Sequence, residues 1–388
     1  MSHPATQMSF DQLYNGLMEA VEKKLVNKNT HPQYPNLELF NYTNECQFSK
    51  AWNVFTRIAR GLILNVEQKQ ICGLGFQKFF NLSENIDPIP EHQSFEVTEK
   101  VDGSLLIIYY YKDNWHVATR GSFSSDQSIW AEEFLHKHLP LYLNPSYTYL
   151  AEAIYPSNRI VIDYKGWSGF YILGGYDLRN GQELLLDEAF SPFFQYCYTN
   201  TERHAQPEGY DPYRQVKVYK EDSIELLEKM ANDMTHEEEG FVIKYEDSTR
   251  FKIKSPAYVA VHKVVFNLSP LAIWELLLTD IEGNTLKEHL KIVPEELRKE
   301  IEEYEKKLLE QYSKVLQKNM KIFEDNYTDN MTPQQFASNL ASYMDREHLI
   351  ESIQWILYHG NKIGGYIRNV YEVIMKYIRP NGNKFKEF

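Results

Sequence analysis

The stretch FEVTEKVDGSLLIIYYYKDNWHVATRGS, residues 95–122, decides how the chain is read. An alternating run breaks at Lys100, Asp102 and Gly103, resumes as a long apolar run, and turns at Asp113–Asn114 into a second one. Period two places Thr98 and Lys100 on one face of a strand. Gly103 supplies backbone without a Cβ where a turn or a close approach is needed. The lysine is therefore expected where a strand end meets a cavity. Alone, Lys-x-Asp-Gly arises by chance in roughly one chain of this size in ten, so its meaning depends on its company.

That company lies downstream. EEEGFVIKY (237–245) is followed by RFKIKS (250–255), in which period two puts Lys252 and Lys254 on one face and Phe251 and Ile253 on the other. FKIK by itself reads first as a half-buried strand with a solvated basic face; beside Lys100 it reads as two lysines pointing into one site. Between the two lies YLAEAIYPSNRIV (149–161), where Glu152 interrupts an apolar strand. A carboxylate so placed either rests at a sheet edge or faces a site.

From about residue 36 to 255 the chain consists of short β-rich runs bounded by turn residues: SLLIIYYY, WHVATR, RIVIDY, FYILGGYDL, FVIKY and RFKIKS. Asp113–Asn114 and Asn180–Gly181 are expected hairpin turns. After about residue 265 the period becomes helical, clearest in Leu297, Ile301, Tyr304, Leu308, Tyr312 and Val315. Further helices are expected at 271–281, 333–345, 347–358 and 364–378, with Thr332–Pro333 and Gly360 as start and stop. The expected class is α+β: a domain of antiparallel β-sheets over 1–265, then an all-α domain over 266–388.

Bulk properties bound the partners. At 388 residues and 43% hydrophobic the chain can bury a large core, enough for two or three domains. No apolar run approaches the roughly 20 residues of a membrane span, and the opening MSHPATQMSF lacks a signal-peptide layout, so a cytoplasmic protein without membrane contact is expected. Cys46, Cys72 and Cys197 have neither metal-ligand spacing nor an even count, which points to reduced thiols. The net charge of −13 would repel nucleic acid as a global field, so a nucleic-acid site must be a local basic groove.

Taken together and in order, KVDG at Lys100, Glu152, EEEGFVIK and FKIKS resemble motifs I, III, IV and V of the covalent nucleotidyltransferases. Within that superfamily the chain is similar to the RNA ligase 1 (phage-type) family, through LFNYT (39–43), ARGLIL (59–64), FQKFFNLSE (76–84), RGS (120–122), PSNRIV (156–161) and FKIKSPAY (251–258). The resemblance covers roughly residues 36–265 and implies an ATP-dependent RNA ligase. Such an enzyme joins a 5′-phosphate to a 3′-hydroxyl through a lysine–AMP and an RNA–adenylate.

The resemblance also implies roles. Lys100 would be the nucleophile, and Lys252 and Lys254 would stabilise charge on the α-phosphate. Glu239 would hold Mg²⁺, for which Mn²⁺ is expected to substitute; Glu152 would contact the ribose of ATP. Arg60, Lys78 and Arg120 would grip the triphosphate, Tyr42 would line the ATP site, and Asp102 would either orient the lysine or help position metal and sugar. Arg120 departs from the lysine common in the family. Because an ordinary lysine is neutral only about 0.1% of the time near pH 7.4, burial and the neighbouring cations, Lys252, Lys254 and a bound Mg²⁺, are expected to lower the Lys100 pKa. The partner implied is RNA, with broken tRNA as one candidate, and at this length end-healing is expected from separate proteins. DNA ligases and capping enzymes follow motif V with a β-barrel, which the helical third argues against. A non-catalytic nucleotide- or RNA-binding relative would have lost motif lysines, and none is lost here.

Overall fold

The computed structural model describes residues 2–199, 211–267, 269–280, 284–290, 295–344, 348–363 and 366–380. The chain divides into two compact units, Met1–Val259 and Ala260–Phe388. Strands in the first, in chain order, are β1 (Val26–Thr30), β2 (Leu37–Tyr42), β3 (Arg60–Asn65), β4 (Gln70–Gly73), β5 (Phe80–Asn81), β6 (Phe95–Glu99), β7 (Ser104–Tyr111), β8 (Asn114–Thr119), β9 (Tyr147–Ile154), β10 (Gly169–Asp177), β11 (Tyr213–Gln215), β12 (Val218–Tyr219), β13 (Gly240–Tyr245) and β14 (Arg250–Lys254). They form three sheets, ordered β1-β2-β3-β4, β11-β10-β9-β7-β8 and β12-β6-β13-β14-β5. Pairing is antiparallel except at two sheet edges, where β11 and β5 add in parallel. The class is α+β, as the sequence predicts.

The apolar run SLLIIYYY follows from burial on both faces of β7. Ile107 and Tyr109 enter a core with Leu13 and Leu17 of helix Phe10–Glu22, whereas Leu106 and Ile108 enter another with Phe134 of helix Asp126–Lys137 and Phe193 of helix Leu186–Thr199. With neither face wet, period-two polarity has nothing to report. β6, β13 and β14 do alternate: Val97, Phe241, Ile243, Phe251 and Ile253 pack on Leu227 and Ala231 of helix Ile224–Asp233, and the opposite face carries Thr98, Val242, Lys252 and Lys254.

Three local expectations change. The β7–β8 turn is made by Lys112 and Asp113, both at positive φ, so Asn114 already belongs to the strand. RIVIDY is not a strand: the amides of Val161 and Ile162 donate to the Asp102 carboxylate and are thereby unavailable to a neighbouring strand. In the second unit helix His348–Ile363 runs through Gly360, because Leu357 and Tyr358 are packed in a core that outweighs one glycine.

The described strands all belong to the first unit. The second is helical, with Pro270–Thr279, Glu295–Asn326, Pro333–Met344, His348–Ile363 and Tyr366–Tyr377 as its longer helices. One core joins Trp274 and Leu277 to Ile301, Tyr304 and Leu308, and a second joins Phe336 and Leu340 to Ile353 and Ile374. The Leu297 side chain and the expected helix ends at 281, 345, 347 and 364 lie outside the described residues. No described helix is long and apolar enough to cross a membrane.

Candidate active site

Two adjacent rungs of the β6–β13–β14 sheet build one wall. In the first, Thr98, Val242 and Lys252 are cross-strand partners. In the second, Lys254 pairs with Gly240, whose carbonyl accepts the Lys100 amide at 2.8 Å. Gly240 has φ +131°, and a Cβ there would lie 2.0 Å from the Ile253 carbonyl oxygen, so the rung closes only on glycine. This brings the side chain of Glu239 between the two lysines. Glu239 is 3% exposed; its Oε2 accepts from Lys100 Nζ at 2.8 Å and its Oε1 from Lys254 Nζ at 2.7 Å.

Gly103 acts by close approach. A Cβ there would meet the Ala153 carbonyl oxygen at 2.5 Å and Glu152 Cγ at 3.0 Å, so glycine lets the Lys100 loop lie against β9. Glu152 is not at an edge, since β9 is flanked by β7 and β10 and Glu152 pairs with Leu105 and Tyr171. Asp102, 4% exposed, braces the same loop. Its Oδ2 accepts from the amides of Val161 and Ile162 at 2.9 and 3.0 Å, and its Oδ1 accepts from Tyr258 Oη at 2.7 Å. Its own amide donates to Tyr164 Oη at 2.9 Å. Both carboxylate oxygens are engaged by protein donors.

Lys78 and Arg120 converge on Tyr42. Arg120 donates to Tyr42 Oη at 2.7 Å, and Lys78 Nζ stands 5.2 Å from the Tyr42 ring centre and 5.3 Å from those of Trp52 and Phe80. Three rings thus hold an ammonium that has no carboxylate within ion-pair distance among the described residues. Arg60 donates to the Phe76 carbonyl at 3.3 Å and lies 5.5 Å from the Phe79 ring, which Lys252 faces at 5.9 Å. Phe79 therefore links the two parts of the site.

From the protein's own groups alone, the electrostatics of Lys100 run opposite to those expected with Mg²⁺ bound. Burial pushes the Lys100 pKa down, but the carboxylates of Glu239, Glu152 and Asp102 outweigh it and hold the amine above its ordinary value. Lys252 is the depressed lysine: burial, then Lys78, Lys100, Lys254 and Arg60, lower it to about 7. Burial also raises Glu152 to about 7 against the pull of Lys100. Glu239 is desolvated too, yet Lys100 and Lys254 keep it below the usual carboxylate range. Tyr42, although buried, is lowered by Arg120, Lys78 and Arg60. Arg60, Lys78, Lys100, Arg120, Lys252 and Lys254 gather around Tyr42, Glu239 and Glu152, which makes a local basic site on a chain of net charge −13.

Every residue singled out from the sequence falls in this neighbourhood, with Asp102 as its brace. Three residues were missed. Tyr258 lies within FKIKSPAY and Tyr164 just beyond PSNRIV, but nothing local in either stretch marks the tyrosine. Trp52 had no sequence signal, because its position under Lys78 depends on tertiary packing. Among the described residues no three His, Cys, Asp or Glu side chains gather as a metal site. Glu239 and Glu152 remain as the oxygen donors, a set that fits Mg²⁺, which commonly takes one or two carboxylates together with substrate phosphates.

A family model described as RNA ligase matches residues 58–258, a span that holds all these side chains except those of Tyr42 and Trp52. The putative bifunctional polynucleotide kinase/RNA ligase of Autographa californica nuclear polyhedrosis virus is 27% identical over 232 residues, covering 53% of this chain and 30% of that protein. The RNA ligase of Rhodothermus phage RM378 is 24% identical over 302 residues, covering 63% and 68%. A solved structure, Naegleria gruberi RNA ligase with PPi, is 25% identical over 44% of this chain and 52% of that chain, with a TM-score of 0.34. The chain thus spans under a third of the viral relative and about half of the Naegleria one. With the family model matching more than half of its length, this chain belongs to the RNA ligase family.

Proposed function

We propose that the protein is an ATP-dependent RNA ligase that joins 5′-phosphate to 3′-hydroxyl ends through a lysine–AMP and an RNA–adenylate. The observation that carries this reading is one amine, Lys100, held on a buried carboxylate beside Lys78 and Lys252, which have no carboxylate within ion-pair distance among the described residues. Lys100 attacks the α-phosphorus of ATP; a P–N bond forms, the bond to the bridging oxygen breaks, and pyrophosphate leaves. Lys252 and Lys254 offset the charge that develops on the α-phosphate, in a half-buried site where such donors act strongly. Arg60, Lys78 and Arg120 bind the β- and γ-phosphates, where arginine offers paired donors and Lys78 a point charge fixed by its rings. Glu152, in the reading of its motif, accepts from the ribose hydroxyls.

A divalent ion would be held by Glu239, with Glu152 near, and would neutralise phosphate charge when bound. The amine of Lys100 must lose a proton before it attacks. In the free protein Glu239 holds that proton on the lysine, so adenylation requires that this ion pair be broken. AMP then passes to the RNA 5′-phosphate, and the 3′-hydroxyl displaces it. We assign adenylation to residues 1–265 and a share in RNA choice to 266–388. A role in RNA repair, broken tRNA included, in the cytoplasm, with kinase and phosphatase steps supplied separately, completes the reading.

The test uses α-labelled ATP, Mg²⁺ and a 5′-phosphorylated RNA. Label should appear first on protein, then on RNA, and should leave as AMP when a 3′-hydroxyl is sealed. Absence of labelled protein under all metal conditions would refute the reading.

A further inference from the structure

The segment that was expected to be a strand, 159–164, instead walls a cavity of about 170 Å³ beside Asp102. Its lining includes Tyr155, Asn158, Arg159, Asp163, Tyr164 and Trp167. We propose that this cavity is a base subsite for the RNA strand, holding one base of a nucleotide next to a reacting end, with Arg159 directed to the adjoining backbone phosphate. The inference rests on the ligase reading above and adds a substrate contact to it.

Three observations carry it. The first is rigidity. Asp102 pins the Val161 and Ile162 amides and accepts from Tyr258, while Asn158 donates to the Ala153 carbonyl at 3.2 Å and shares a hydrogen bond with Ser104. The cavity wall is therefore bonded to the residues that flank Lys100, and a ligand there is registered against the nucleophile. The second is chemistry. Tyr155, Tyr164 and Trp167 supply aromatic lining; Trp130 stacks on Tyr155 and Arg214 lies over the Trp167 ring, so Tyr164 and the remaining ring surfaces are what meet a base, by stacking that does not depend on sequence. Arg159 spends its Nε on the Val161 carbonyl at 3.2 Å and has no carboxylate within ion-pair distance among the described residues. An arginine held by one nitrogen with its remaining donors available is suited to a phosphate. The third is size. The volume lies below the roughly 300–1,000 Å³ of pockets that enclose a whole drug-sized ligand, so it suits a single base and leaves sugar and phosphate outside, where Arg159 stands.

The test compares the full chain with Arg159→Ala and Arg159→Lys in three separate assays. Lysine–AMP formation from ATP needs no RNA and should be unchanged in both variants. Transfer of AMP to a 5′-phosphorylated RNA, and sealing of a pre-adenylated RNA to a 3′-hydroxyl RNA, are measured for KM and kcat. A rise of about tenfold or more in KM for RNA in one of them, with kcat kept and with Arg159→Lys partly restored, supports the proposal. A rise in transfer places the 5′-phosphate strand in the cavity, and a rise in sealing places the 3′-hydroxyl strand there. Unchanged KM in both assays overturns it. Should Arg159→Ala fail to fold, 4-thiouridine placed near either RNA end decides in the unmodified protein: photocrosslinks to residues 155–167 support the subsite, and crosslinks only elsewhere overturn it. If the unmodified protein forms no lysine–AMP, it is the ligase reading that fails, and crosslinking still reports on the cavity.

Discussion

Lys252 and Lys254 sit two residues apart on one face of β14, yet their surroundings differ in kind. Lys254 meets Glu239 at 2.7 Å across the rung closed by Gly240, and the same carboxylate takes Lys100. Lys252, one rung away opposite Val242, meets an aromatic ring and other cations, and its pKa falls to about 7. Identical side chains at equivalent positions are thus set by which residue shares the rung. Gly240 admits a carboxylate to one end of the wall, and Val242 admits none to the other. One end thereby stores a proton on its amine, and the other stores an unmet demand for an anion.

The largest expected effect breaks the paired end. Lys100→Ala should abolish covalent AMP entirely, read by label surviving denaturation, because Lys254, the second lysine on Glu239, is held on the other carboxylate oxygen from β14 and not from the KVDG loop. Next, Lys252→Ala and Lys254→Ala should each slow single-turnover adenylation by about a hundredfold or more. They should differ in stability. Removing Lys254 deprives a buried carboxylate of a partner and should lower the melting temperature, whereas Lys252→Ala relieves cation crowding and should leave it unchanged or raised. Equal melts for the two would undo the contrast between the rungs.

A smaller effect sharpens the unpaired end. Trp52→Ala opens one wall of the Lys78 cage and should raise KM for ATP about fivefold, the scale of one cation–π contact, with kcat kept. The smallest effect concerns Glu152. Its folded pKa of about 7 exceeds the ordinary 4.5, so the native state binds the extra proton and the stability it confers, full below pH 4.5, is lost as pH rises through 7. Glu152→Gln should therefore melt higher than the parent above pH 7, by about 1 kcal/mol given partial solvent screening, and the gap should close toward pH 5. A gap constant with pH would show that Glu152 is not the titrating group.

The β half and its lysines were legible because alternation reports a strand with one wet face, as in FKIK, and because ordered motifs limit chance. RIVIDY misled for a physical reason: its β-branched residues favour extension, but a carboxylate 59 residues upstream in sequence captured the Val161 amide. No local pattern encodes that partner. The Tyr258–Asp102 bond spans 156 residues and was equally invisible, although FKIKSPAY contained the tyrosine. The direction of the Lys100 shift set by the protein's own groups is hidden from the sequence for a related cause. Lysines and carboxylates can both be counted in a sequence, but which of them share a rung depends on register, and register turned on Gly240.

The claim at the centre is that Lys100, lifted off Glu239, takes the AMP. The most direct measurement is peptide mapping of the unmodified protein after incubation with ATP and Mg²⁺, under conditions that preserve an acid-labile P–N bond. A single AMP adduct is expected, on the peptide that contains Lys100, lost on mild acid treatment. An adduct on Lys252 or Lys254, or an acid-stable adduct at any other position, would contradict it.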